Sequence, residues 1–258
     1  MIRAADVDGV RVLELDRAPD NSLSRDLLAA LREALVRARE DASVKAVVLA
    51  SPFPKVFSAG LDLSELAPEA GLGTGPFQAL IDTHRALAGF PKPSVAAVNG
   101  LAILGGWILA LACDARVFAE DAKATLSEVR IGLSPTEALV RTSLSLAADP
   151  RAVRAMVLRG RPLDASEAAA AGLADRVVPA AVLRAEAVRE AKGLARVPPG
   201  AFAAVKRDLR AAWGLDDPAL WERSVTAFET LHAGEEARAG LAAAARRAKP
   251  APGGRDVP

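Results

Sequence analysis

The stretch Val56-Phe57-Ser58-Ala59-Gly60-Leu61-Asp62-Leu63 decides the architecture of this chain when read with Asn99-Gly100-Leu101-Ala102-Ile103-Leu104-Gly105-Gly106, roughly forty residues on. Each is a glycine-bearing turn that leaves an apolar strand and opens a helix. Two such turns can aim two backbone N–H groups at one carbonyl oxygen. The result is an oxyanion hole made from main chain, which requires no side-chain chemistry at either position. Gly60, Gly105 and Gly106 permit backbone conformations and close approaches that a Cβ would obstruct.

Outward from these turns, strand and helix alternate. Val10-Arg11-Val12-Leu13-Glu14-Leu15 has the alternation of a half-buried strand. Asn21-Ser22-Leu23-Ser24 supplies a turn and an N-cap for a helix to about Arg39, with Leu27, Leu28, Leu31 and Leu35 on one face. Ala46-Val47-Val48-Leu49 is the short continuous apolar run of a parallel strand buried on both faces. Phe77 to Leu87 reads as a helix, and Pro91-Lys92-Pro93 forces an extended entry to the buried strand Val95 to Val98. Gly105 to Ala112 is an apolar helix and Ala115-Arg116-Val117-Phe118 a further strand, so the pattern to about residue 130 predicts right-handed β-α-β units. After Pro135 the texture is helical over 136–148, 150–158, 165–171, 181–195, 200–212 and 219–247, with Arg176-Val177-Val178 as the one strand.

Composition narrows the class. With 258 residues, a net charge of +1 and 25% charged residues, nothing points to a nucleic-acid binder. The single Cys113 rules out an intrachain disulfide and a cysteine zinc site, and fits a reducing compartment. Asp6, Asp8, Arg11 and Glu14 are incompatible with a signal-peptide core, and Asn99 with three glycines breaks the longest apolar stretch, Val95 to Cys113. The expectation is a cytoplasmic protein with no membrane partner. His84 and His232 are isolated, lack metal-ligand spacing, and read as surface or packing residues. The glycine-rich 71–75 segment is followed by Pro76 and preceded by no apolar strand, so it reads as a loop over the site and not as a nucleotide cradle.

Four stretches in order carry a family likeness: Phe57 to Leu63 with Glu65-Leu66, Pro93 to Asp114, Leu126-Ser127-Glu128-Val129-Arg130-Ile131-Gly132-Leu133-Ser134-Pro135, and Gly160 through Asp175-Arg176-Val177-Val178-Pro179. From about Val10 to about Ala248 the chain resembles the crotonase superfamily of enoyl-CoA hydratases and isomerases. That resemblance implies an α/β fold, a crotonase-like spiral of β-β-α units over residues 1–195 that binds an acyl-CoA thioester. It implies a helical region over 196–248 that assembles homotrimers or homohexamers, and the proline- and glycine-bearing 249–258 reads as a disordered tail. No metal and no separate cofactor is implied, since coenzyme A arrives as part of the substrate.

By the same likeness the oxyanion donors are the N–H groups of Leu61 and Gly105, and Glu128 is the acid/base. Leu126, Val129 and Ile131 around Glu128 provide an apolar setting that could raise its pKa towards neutrality. Ser58, Ala59, Gly60, Asp62, Leu63, Gly106, Ile108, Ser127, Leu133, Pro135 and Glu137 complete the expected substrate-binding set. Leu72, Phe77, Leu80, Leu133 and Leu139 are candidates for the acyl pocket, while the Asp62 and Asp114 carboxylates read as turn or cap groups. Enoyl-CoA hydratases carry a second glutamate three residues beyond the donor glycine, and this sequence has Ile108 there. Hydration uses two carboxylates to hold a water, whereas a 1,3-proton shift needs one, so the likeness favours a Δ3,Δ2-enoyl-CoA isomerase. Glu137, near the start of a helix, leaves open a second acid/base group and hence hydration; loss of the second glutamate also leaves open a non-catalytic acyl-CoA binder.

Overall fold

The computed structural model of the chain describes residues 1–67, 71 and 73–248. Leu72 and the 249–258 tail lie outside the described residues.

The strands read at Ala46–Leu49, Val95–Val98 and Ala115–Phe118 become the centre of the larger sheet. Strands β1 (Ile2–Val7), β2 (Val10–Leu15), β3 (Ala46–Ala50), β5 (Ser94–Val98), β7 (Ala115–Ala119) and β10 (Arg176–Val178) lie in the order β1-β2-β3-β5-β7-β10. Every residue of β3, β5 and β7 is buried. All neighbours are parallel except the β1–β2 hairpin, a connection that only antiparallel strands can make so tightly. The smaller sheet contains β4 (Val56–Ser58), β6 (Leu101–Ile103), β8 (Lys123–Thr125) and β9 (Leu163–Asp164), in the order β4-β6-β8-β9.

The chain visits the two sheets in turn. From β3 it passes to β4, from β5 to β6, and from β7 to β8, with helix or 3₁₀ structure following each pair. That is the spiral of β-β-α units expected from the likeness. At the crossing between β5 and β6, Gly100 has φ +63°, and a Cβ there would lie 2.0 Å from the Lys55 carbonyl oxygen. No other residue fits that crossing without moving backbone.

Helix α1 (Arg25–Glu40) begins where the sequence places it: Ser24 caps it by accepting from the Leu27 N–H, and Leu27, Leu28, Leu31 and Leu35 are buried. Helices α2 (Leu63–Leu66), α3 (Gly75–Ala88) and α4 (Gly105–Leu111) follow the two glycine turns. The helical half comprises α5 (Thr136–Leu146), α6 (Pro150–Arg159), α7 (Ala165–Ala170), α8 (Leu183–Leu194), α9 (Pro199–Ala212), α10 (Pro218–His232) and α11 (Glu235–Ala248). The single helix expected over 219–247 is two, divided at Ala233-Gly234. Strand β1 escapes the sequence pattern because all its residues after Ile2 are exposed, and β9 because two residues carry no period.

Two packings position the site. Helix α10 runs antiparallel along α3: Phe228 stacks on Phe77 with ring centroids 3.8 Å apart, and Trp221 meets His84 at 5.5 Å. Each helix advances by seven residues, two turns, between those contacts. Helix α11 closes on the 3₁₀ turn Glu128–Ile131 of its own chain, so tightly that a Cβ on Gly240 would lie 2.4 Å from the Ile131 carbonyl oxygen.

Candidate active site

The two glycine turns converge. A Cβ placed on Gly105 would lie 3.4 Å from the Leu61 amide nitrogen, and one on Gly60 3.3 Å from the Gly105 amide nitrogen. Neither the Leu61 nor the Gly105 N–H has an acceptor among the described residues. Both peptides are held from their carbonyl side. The Leu23 N–H donates to the Gly60 oxygen at 2.7 Å, and the Ile108 N–H to the Leu104 oxygen at 2.9 Å. Because a trans peptide is planar, a bond onto its C=O also fixes the opposite N–H. Gly60 adopts φ +90°, and its own N–H is held by the Ser58 hydroxyl at 3.2 Å, which in turn donates to the Asn21 carbonyl at 2.7 Å.

Facing these N–H groups is a cavity of about 290 Å³ lined by Leu61, Leu63, Leu66, Phe77, Leu80, Ile108, Leu133 and Phe228, with Glu128 in its wall. Glu128 opens the 3₁₀ turn after β8, and that turn ends at Gly132 in a left-handed conformation. Its side chain is buried, and Oε2 has no hydrogen-bond partner among the described residues. Removal from water penalises the charged form, so burial pushes its carboxyl up to about 8. It is the one carboxylate lining the cavity among the described residues. Two cations, Arg130 and Arg247, also line it.

Of the residues singled out from sequence, Ala59, Leu61, Leu63, Gly105, Ile108, Ser127, Glu128 and Leu133 line this cavity, as do Phe77 and Leu80. Others support it from behind. Ser58 is fully buried under the Gly60 turn, Gly60 shapes that turn, and Gly106 packs where a Cβ would lie 2.6 Å from the Ser58 carbonyl. Asp62 caps α2 through Ser64 and pairs with Arg17 at 2.5 Å; partial burial opposes its ionisation, yet these partners hold its carboxyl below the usual range. Asp114 binds Ser94 and Lys206, both at 2.8–2.9 Å.

The expectations for Pro135, Leu139 and Glu137 are corrected. Pro135 is the N-cap of α5 and does not line the cavity, and Leu139 is buried in the core behind it. Glu137 does not reach the acyl site: it lies half exposed on α5 and pairs with Arg141 one turn on at 2.9 Å and with Arg223 at 3.5 Å. Both histidines are buried packing residues, and no group of three potential metal ligands occurs among the described residues. Sequence reasoning missed Leu66, Arg130, Phe228, Ala244 and Arg247 in the lining; only the exposed guanidiniums beside an apolar motif offered a signal.

An enoyl-CoA hydratase/isomerase family profile matches residues 6–253. The chain belongs to the enoyl-CoA hydratase/isomerase family. Among its relatives, the human mitochondrial methylglutaconyl-CoA hydratase is 37% identical over 195 residues, which is 73% of this chain and 56% of that protein. The aligned region therefore spans little more than half the length of that relative. Carnitinyl-CoA dehydratase from Salmonella enteritidis is 36% identical over 203 residues, 77% of this chain and 76% of that one. The crystal structure of human mitochondrial delta3-delta2-enoyl-CoA isomerase superposes with a TM-score of 0.88 at 27% identity, covering 95% of this chain and 97% of that one. Family membership accounts for the spiral, and no helix among the described residues is long and apolar enough to cross a membrane.

Proposed function

We propose that this enoyl-CoA hydratase/isomerase family member catalyses a 1,3-proton shift, converting a 3-enoyl-CoA into the conjugated 2-enoyl-CoA. The thioester oxygen accepts from the N–H groups of Leu61 and Gly105, which stabilises the enolate as it forms; each such donor contributes about 2.7–4 kcal/mol in the transition state. Glu128 takes a proton from C2 and returns it at C4, because both carbons present the same face of the planar dienolate to one carboxylate. The reaction is redox-neutral and calls on no resident cofactor, with coenzyme A entering as part of the substrate. Arg130 and Arg247 at the cavity suit its phosphate groups.

The observation that carries this reading is the single carboxylate in the cavity wall, buried with no hydrogen-bond partner for its Oε2 among the described residues. Ile108, where a hydratase has its second glutamate, leaves no partner to hold a water, and Glu137 is committed to arginines on the outside. The hydratase and dehydratase names of the relatives at 36–37% identity support the rival reading, addition of water across a 2-enoyl thioester. Mixing the protein with trans-3-hexenoyl-CoA and following the ultraviolet absorbance of the conjugated thioester separates the two. A rise that Glu128→Gln abolishes supports the isomerase. No rise, with loss of absorbance from trans-2-hexenoyl-CoA, assigns the hydratase, and silence with both substrates leaves an acyl-CoA binder.

A further inference from the structure

Helix α4 is two turns long, and its end is irregular. The Ala112 N–H, which would regularly bond to the Ile108 carbonyl, bonds instead to Leu109 and Ala110. The Ile108 oxygen is taken up by His84, whose Nδ1 lies 3.0 Å away. A carbonyl only accepts, so Nδ1 carries the hydrogen. The ring is 1% exposed and tilted against Trp221. Burial, aided by nearby Arg210, drives its pKa down to about 4, so it stays neutral as this one tautomer.

The Ile108 residue so held also reaches back: its N–H donates to the Leu104 oxygen at 2.9 Å. Leu104 C=O and Gly105 N–H belong to one planar peptide, so that bond sets the direction of the Gly105 donor. Leu104 itself sits at φ +48° and ψ −115°, a conformation a non-glycine residue keeps only when its surroundings impose it. We propose that His84 is a positioning residue of the oxyanion hole: its ring fixes the Ile108 backbone, and through it the aim of the Gly105 N–H. This rests on the oxyanion-hole reading above. His232 provides an internal comparison, since its Nε2 makes a buried bond at 2.8 Å to the Leu66 carbonyl at the end of α2 and not to the backbone of α4.

The test uses acetoacetyl-CoA, whose enolate absorbs in the ultraviolet and reports the oxyanion hole without turnover. His84→Phe keeps an aromatic ring and removes the donor; His84→Asn restores a donor near Nδ1; His84→Leu serves if the Phe ring is not accommodated. Bound to the parent protein, the ligand should ionise at a lower pH than it does free. With His84→Phe or His84→Leu its enolate fraction should fall about tenfold at a fixed pH, and kcat on a 3-enoyl-CoA ten- to a hundredfold with KM within about twofold. His84→Asn should recover most of both, and His232→Phe should keep the enolate band. An undiminished enolate band in a folded His84→Phe, or equal losses in His84→Phe and His232→Phe, would overturn the role assigned to His84. A parent protein that binds acetoacetyl-CoA with no enolate band would remove the oxyanion hole itself, and that role with it.

Discussion

Replacing Glu128 by Gln should make the protein inactive and, above neutral pH, more stable. In the folded chain the Glu128 carboxyl is buried without a partner for Oε2, and its pKa is pushed up from the ordinary 4.5 to about 8. Between those two pH values the folded state holds a proton that the unfolded chain has released. Stability therefore falls as pH rises through that window, and the full loss is present above about pH 8. At ~1.4 kcal/mol for each pH unit, the gap amounts to about 5 kcal/mol. Glutamine has the same shape and cannot ionise. The two proteins should unfold within about 1 kcal/mol of one another at pH 5, where Glu128 is neutral. By pH 9 the Gln variant should be the more stable by several kcal/mol, as measured by urea midpoints at fixed protein concentration. The same carboxyl must be ionised to take the C2 proton, so kcat/KM of the parent should climb to a plateau above about pH 8. The Gln variant should lose about 10²–10⁴-fold in rate. A stability difference that does not change with pH, or a parent more stable than the variant at pH 9, would refute the assignment of a raised pKa to this group.

Phe228→Ala removes half of the aromatic stack that walls the cavity. It should cost about 3–5 kcal/mol of stability and shift the kcat/KM optimum, measured from butenoyl to dodecenoyl thioesters, towards longer chains by about tenfold or more. Glu137→Gln should leave turnover within about twofold of the parent, because its carboxylate is spent on exposed pairs with Arg141 and Arg223; a loss on the scale of Glu128→Gln would place it in the site after all.

Much of the site is written locally. The apolar runs that become β3 and β5 need only a two-sided cover to be read as buried strands, and Ser24 needs only its position to cap α1. The glycine turns at 60 and 105 and the apolar surroundings of Glu128 were likewise legible, because turn geometry and local polarity depend on near neighbours in the chain. What tertiary structure alone decided concerns contacts between distant segments. Glu128 and Glu137 are nine positions apart in sequence, yet packing buries one in the cavity wall and turns the other to solvent. Phe228 and Arg247 enter the lining only because α10 lies along α3 and α11 folds back over the 3₁₀ turn. No periodicity encodes those meetings, since the faces of a helix are set by its own sequence but the partner they meet is set by the sum of all the packing. The two histidines carry the same lesson: their isolation in sequence left them as surface or packing residues, and only the fold gave each a backbone carbonyl to hold.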